Sequence, residues 1–308
     1  MIRFAIIVFC FFLAFHLIAY YALIRAMFKD AKGKIIAGIC VVAHFLITAG
    51  FAAVLLIFRA DIPHFLYATL STTALNAVLF FTFGIINIVF LIAFRHKIQR
   101  RILTSRILFG VSVLCIIFAI FNAVRMPNLT QTTIYLPNLP HESTILMMSD
   151  LHLSRLISTK KVEKIIDLAN AQNAEVIVLV GDIIDSRPKI MSDFLPILAK
   201  LYAKNGVYFA LGNHEFIFDA HKSIETIKSL KNITPLVNQS TIIDANYNLI
   251  GISDISGIRF GGDIVPDLDS ALQGTDAKLP KILLSHQPNI IKHIDHLRCD
   301  CWNRKTQQ

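Results

Sequence analysis

Apolar positions along these 308 residues follow two rhythms, and the change falls near residue 124. Before it, nearly unbroken apolar runs cover 4–24, 35–58, 74–94 and 107–124. Each is close to the roughly 20 residues that a helix needs to cross the hydrocarbon core of a bilayer. Four transmembrane helices are therefore expected within residues 1–124. The first run follows Met1-Ile2-Arg3 and also admits a reading as a secretory signal. A signal has a shorter apolar core of about 7–15 residues and a small-residue cleavage site. Tyr20-Tyr21-Ala22-Leu23 makes a poor cleavage site, which favours a retained helix.

After residue 124 the apolar runs shorten and alternate with amphipathic stretches. Residues 133–136, 144–148, 176–180, 207–211, 241–243, 248–252 and 281–284 read as strands. Residues 160–171, 194–204 and 223–230 read as helices, the first with Val162, Ile165, Ile166 and Leu168 at helical spacing. The continuous aliphatic run Val176-Ile177-Val178-Leu179-Val180 suits a strand covered on both faces. Alternating strands and helices predict an α/β layered sheet. The resulting division is 1–124 for the membrane helices, 125–142 for a linker and first strand, 143–297 for the α/β domain and 298–308 for a divergent tail.

Composition supports that division. The mean hydropathy of +0.59 is too high for an ordinary soluble domain, and the membrane half accounts for it. Residues 1–124 hold 11 Lys and Arg against two acidic residues, whereas residues 125–308 hold 19 of each sign. The pI of 9.4 thus belongs to the membrane half, and nucleic acid is excluded as the expected partner. Arg25, Lys29, Lys32 and Lys34 fall in the first loop and Arg95, Lys97, Arg100, Arg101 and Arg106 in or beside the third, while the second has only Arg59. The positive-inside rule places the first and third loops in the cytoplasm, so the N-terminus and the second domain face outward. A multi-pass cell-membrane protein with an extracytoplasmic domain is expected.

His16, His44, Asn76, Asn87 and Asn122 lie within the spans without an acidic or basic partner at mid-span. Hydrogen bonding between helices is the favoured reading over a transport path. The body of the second domain has no cysteine, so no disulfide framework is indicated. Asn128, Asn232 and Asn238 match a glycosylation pattern too short to carry an argument.

Chemistry-bearing residues recur where predicted strands end. Asp150 and His152 follow the strand ending at Met148, Asp182 follows Val180, Asn213 and His214 follow Leu211, and His286 follows Leu284. The carboxyl ends of sheet strands are where open α/β folds gather ligands. Carboxylate, imidazole and amide oxygen suit zinc, manganese or iron rather than a soft metal. In an extended Asp150-x-His152 segment both side chains would point the same way and reach one ion. Gly181 would let the backbone come close enough for Asp182 to bridge two ions. His141, His221, His293 and His296 are isolated and read as surface or packing residues.

With Ser149-Asp150-Leu151-His152-Leu153-Ser154, Val180-Gly181-Asp182-Ile183-Ile184-Asp185-Ser186, Leu211-Gly212-Asn213-His214-Glu215-Phe216 and Leu284-Ser285-His286-Gln287-Pro288 in order, residues 143–296 resemble the calcineurin-like metallophosphoesterase superfamily, and most of all its bacterial membrane-associated branch. The resemblance implies a layered α/β/β/α sandwich and a site holding two divalent ions, Mn, Fe or Zn. It implies Asp150 and His152 on the first ion, Asp182 bridging, and Asn213 and His286 on the second. His214 would be the general acid or transition-state stabiliser, oriented by Asp185. The activity implied is hydrolysis of a phosphomonoester or phosphodiester, and the membrane helices add the lipid bilayer as a partner and a lipid-linked or cell-envelope phosphoester as a candidate substrate.

Beyond His286 the pattern departs from the family. Relatives continue through a helix and a strand to a Gly-His-x-His turn whose histidines complete the two ions, whereas this sequence reads Leu297-Arg298-Cys299-Asp300-Cys301-Trp302. The expectation is a domain incomplete at its C-terminus through a frame disruption or early stop near Leu297, with impaired hydrolysis. Two alternatives stand beside it: a catalytically inactive membrane protein or remnant that retains the fold, and a replacement metal site built from His293, His296, Cys299 and Cys301. The second runs against the usual zinc-ligand spacings.

Overall fold

The computed structural model describes residues 2–56 and 63–293. The chain divides into two compact units, Met1–Arg125 and Met126–Gln308. Arg59 of the second loop, His296, Leu297, Cys299, Cys301 and the tail 298–308 lie outside the described residues, and with them three of the four residues of the alternative Cys/His site.

The described part of the first unit is helical apart from short connections such as 28–30 and 94–97. Helix α1 (Ile2–Ile18) passes into a π-helical turn (Ala19–Ile24) and a 3-10 turn (Arg25–Met27), followed by α2 (Ala31–Leu56), α3 (His64–Ala93) and α4 (Ile98–Val124). All four spans are long and apolar enough to cross a membrane. Each helix starts before its apolar run, most markedly α3 at His64 and α4 at Ile98. Hydroxyls in these early stretches bond to their own helix: Thr69 to the Phe65 carbonyl, Thr72 to that of Ala68, Thr104 to that of Arg100 and Ser105 to that of Arg101.

Polar groups inside this unit join its helices. The His16 and His44 rings approach to 2.8 Å between Nε2 and Nδ1, linking α1 to α2. Asn87 on α3 donates to the Ala22 carbonyl at 2.6 Å and to Ser105 Oγ on α4 at 2.8 Å. Ala22 lies in the π-helical turn, where the regular hydrogen-bond ladder is interrupted and a carbonyl can be met from outside. Asn122, by contrast, bonds to Phe118 of its own helix.

The second unit contains two sheets. Strands β1 (Ile145–Met148), β2 (Val176–Val180), β3 (Val207–Ala210) and β4 (Ile233–Pro235) form a parallel sheet in that order. Strands β5 (Gln239–Ile243), β6 (Tyr247–Gly251) and β7 (Lys281–Leu284) form the second, antiparallel at β5–β6 and parallel at β6–β7. Helices α5 (Thr159–Ala171), α6 (Pro188–Met191), α7 (Leu195–Leu198), α8 (Asn213–Ile217), α9 (Ala220–Lys228), α10 (Ser256–Phe260) and α11 (Leu268–Leu272) complete it.

Strand β2 shows why the sheets stack. Ile177 and Leu179 join a core with Val162 and Ile166 of α5 and Leu198 of α7, while Val176, Val178 and Val180 join another with Tyr247 and Leu249 of β6 and Leu284 of β7. All five side chains are buried, so the absence of polar alternation follows from burial on both faces. Helix α11 packs on β5 and β6, which gives the order helices, sheet, sheet, helix.

Three local expectations need correction. Residues 133–136 form no strand: Ile134 and Tyr135 stand exposed and only Leu136 is buried. Alternation by itself cannot make a strand without a neighbouring backbone to bond. The helix expected over 194–204 is a single turn at Leu195–Leu198, and α8, α10, α11 and β4 were not anticipated. Each of those is too short for a periodic signal to emerge.

Candidate metal centre

Parallel register delivers the site. Met148 pairs with Leu179, and Val180 with Ala210, so β1, β2 and β3 end side by side. The loops that follow are then laced together: the Asp150 N–H donates to the Gly181 carbonyl at 3.1 Å, His152 to Asp182 at 2.9 Å and Leu153 to Ile183 at 2.9 Å. This lacing overturns the extended Asp150-x-His152 segment. Asp150, His152 and Asp182 have φ of 56°, 45° and 54°, in the left-handed region that costs a residue with a Cβ of order 1–3 kcal/mol. The cost persists because the backbone bonds to the next loop require that geometry. Asp150 and His152 still approach, to 3.9 Å between Oδ1 and Nε2.

Asp182 is the centre of the cluster. Its side chain is 5% exposed, and its Oδ2 lies 3.4 Å from His286 Nε2 and 3.9 Å from the Nε2 atoms of both His152 and His214. Its Oδ1 accepts from the His214 backbone N–H at 2.8 Å. Ligand atoms of His152, Asp182 and His214 fall within 4.8 Å of one another, and so do those of Asp150, Asp182 and His286. The expected ligand set had Asp150 and His152 on one ion and Asn213 and His286 on the other, with His214 as the general acid; the clusters of imidazole and carboxylate atoms instead include His214.

Hydrogen bonds behind the rings set which nitrogens face the centre. His286 Nδ1 donates to the Val180 carbonyl at 3.1 Å, which leaves the Nε2 lone pair turned to Asp182 Oδ2. His214 Nδ1 donates to Asp185 Oδ1 at 2.7 Å, and His152 Nδ1 lies 3.2 Å from the other oxygen of that carboxylate. The two rings meet edge to face at 4.5 Å. Partial burial opposes protonation of His214, but the hydrogen bond and ion pair with Asp185, helped by Asp182 and Glu215, raise its pKa above the ordinary histidine value.

With the His286 ring neutral, its Nε2 and Asp182 Oδ2 at 3.4 Å are two acceptors facing each other, an arrangement that either a proton or a metal cation between them relieves. The donor set therefore fits a hard or borderline divalent ion. Glycine makes the approach possible. A Cβ on Gly181 would sit about 2.5 Å from the His286 ring, and one on Gly212 would strike the Asp182 backbone and carboxylate.

Three residues escaped the sequence reading. Glu215, fully buried, accepts from the backbone N–H groups of Asp182 at 3.0 Å and of Ile183, Ile184 and Gly212 at 2.8 Å, tying the loops after β2 and β3 to one carboxylate. Burial pushes its pKa up, against the pull of those N–H donors. Gln287 donates to Asn213 Oδ1 at 3.1 Å and to Asp254 Oδ1 at 3.3 Å. Glu215 was visible only as the last letter of Gly-Asn-His-Glu, and Asp254 as one more acid just past a strand end.

Residues 143–305 match the calcineurin-like phosphoesterase family. The chain belongs to that family. It is 29% identical to an uncharacterised metallophosphoesterase of Campylobacter jejuni over 63% of this chain and 51% of that protein. It is 30% identical to an uncharacterised metallophosphoesterase of Helicobacter pylori, over 56% of this chain and 46% of that one. A transmembrane protein with metallophosphoesterase domain from Bos taurus is 28% identical over 66% of this chain and 49% of its own. The chain thus spans about half the length of these relatives. No solved structure matches. A phosphoester hydrolase domain behind a membrane-type N-terminus, with a cluster of candidate metal ligands, follows from these findings.

Proposed function

We propose that this chain is a membrane-anchored phosphoesterase that hydrolyses a phosphomonoester or phosphodiester at a dinuclear metal centre. The observation that carries the reading is the convergence of imidazole Nε2 atoms on the buried Oδ2 of Asp182. Asp150 and His152 would hold the first ion and Asn213 and His286 the second, with Asp182 available to either. Two divalent ions at such a site supply positive charge to the phosphate oxygens and make water a better nucleophile at neutral pH.

The remaining roles belong to the protein. Asp185 fixes His214 through Nδ1, so Nε2 is the atom that holds a second proton, and the hydrogen bond and ion pair with Asp185 favour its retention there. From Nε2 the proton passes to the leaving oxygen. Asp185 steadies the imidazolium through its hydrogen bond to Nδ1.

The membrane helices support a lipid-linked or cell-envelope substrate, and the charge of the first and third loops supports an extracytoplasmic domain in a multi-pass cell-membrane protein. A reporter fused after Leu136 that is active only in the cytoplasm would overturn that orientation. A second reading is a catalytically silent membrane protein that retains the fold. Metal content and hydrolysis of p-nitrophenyl phosphate and bis(p-nitrophenyl) phosphate by the purified chain, with and without Mn2+, separate the two. Under the first reading Asp182→Asn abolishes the Mn2+-dependent rate, and an unchanged rate refutes it.

A further inference from the structure

Asp254 sits just beyond the end of β6, on the second sheet, and is 2% exposed. Its Oδ1 accepts from the Ser256 backbone N–H at 2.8 Å and from Gln287 Nε2 at 3.3 Å, while its Oδ2 is buried without a hydrogen-bond partner. A helix cap would require the first of these contacts alone. The second is what extends toward the metal centre, because the same Gln287 nitrogen donates to Asn213 Oδ1 at 3.1 Å.

The chemistry of the amides makes this chain of contacts directional. Gln287 Nε2 has two N–H groups, and each meets an acceptor oxygen. Rotating the Gln287 amide by half a turn would set its own oxygen against Asp254 Oδ1 and Asn213 Oδ1, three acceptors together. Asp254 therefore determines the Gln287 orientation, and Gln287 determines that of Asn213. The Asn213 oxygen accepts one hydrogen bond and keeps a second lone pair for a cation. The backbone N–H of the next residue, His214, donates to Asp182 Oδ1, which keeps this end of α8 at the bridging carboxylate.

We propose that Asp254 is a positioning residue for the metal centre, acting through Gln287 to present the oxygen of Asn213, an inference that rests on the dinuclear reading of Asn213. Ligand-orienting partners of this kind are worth about 10–100-fold in metal affinity. Asp254 and Asn213 come from different sheets' strand ends, so the relay also joins the two sheets at the site.

The test uses the full chain in detergent, with Mn2+ binding measured by calorimetry. Gln287→Leu and Asp254→Leu should each weaken binding about tenfold, and the double variant no further, whereas Asp254→Asn, which keeps an acceptor oxygen, should bind as the unmodified chain does. Additive losses, or a Gln287→Leu chain with unchanged affinity, overturn the relay. A metal-free thermal-unfolding cycle provides the second readout. Asp254→Leu and Asn213→Ala should be coupled, and the coupling should vanish in a Gln287→Leu background; additivity throughout overturns the relay. A chain that binds no Mn2+ while showing this coupling removes the dinuclear reading and leaves the relay standing.

Discussion

His214 Nδ1 donates to Asp185 Oδ1 at 2.7 Å, and Asp185 Oδ2 lies 3.2 Å from His152 Nδ1, so one carboxylate aims two imidazoles at Asp182. Asp185→Asn should preserve the fold and lower phosphoester hydrolysis about 100-fold, since an amide offers only one acceptor for two rings. Steady-state rates on an aryl phosphoester, with circular dichroism as the fold control, check it.

The same pair predicts a pH dependence in the metal-free chain. The folded-state pKa of His214 is raised above 6.5, so its contribution to stability is full below that value and is lost as pH rises through the folded pKa. Unfolding midpoints measured from pH 5 to pH 9 should fall across that window, and His214→Gln should remove this component of the fall.

Glu215→Gln places an amide NH2 group among backbone donors that now share one carboxylate. The second unit should lose about 2–3 kcal/mol, within the range for hydrogen bonds to a charged group. Hydrogen exchange at Asp182, Ile183, Ile184 and Gly212 should accelerate together, and unaltered protection at these four amides would contradict the role.

Gly181 has φ of 72°, and a side chain there would collide with the His286 ring. Gly181→Ala should cost about 1–2 kcal/mol from the left-handed backbone and displace His286, reducing Mn2+ affinity at least tenfold. Calorimetry alongside a thermal melt separates the two effects.

In the membrane unit, Asn87 joins the π-helical turn after α1 to α4. Asn87→Leu should destabilise the unit by about 1 kcal/mol, typical of an interhelical hydrogen bond in lipid. Unfolding in mixed micelles as the SDS fraction rises would reveal it, and a stability equal to that of the unmodified chain would refute the bond's contribution.

Much of this protein was legible in its sequence because the signals are local. Spans of about 20 apolar residues declare membrane helices whatever surrounds them. The aliphatic run 176–180 and the amphipathic stretch at Val162, Ile165 and Ile166 declare a covered strand and its helix. The ligand types announced a divalent-metal site because each stood just past a strand. What failed locally were elements whose existence depends on a partner, such as the absent strand at 133–136 and the single-turn helices around the site.

Tertiary structure alone decided the geometry of the centre. Only parallel register brings Met148, Val180 and Ala210 to one edge, and only the lacing between loops forces Asp150, His152 and Asp182 into left-handed backbone. The roles of Glu215, Gln287 and Asp254 depend on contacts between segments some 30 or more residues apart in the chain. Residue type and spacing determined which chemistry this protein carries, because donor chemistry is a property of each side chain. Which atoms face the centre was determined by packing, because a ring or an amide is oriented only by the groups behind it.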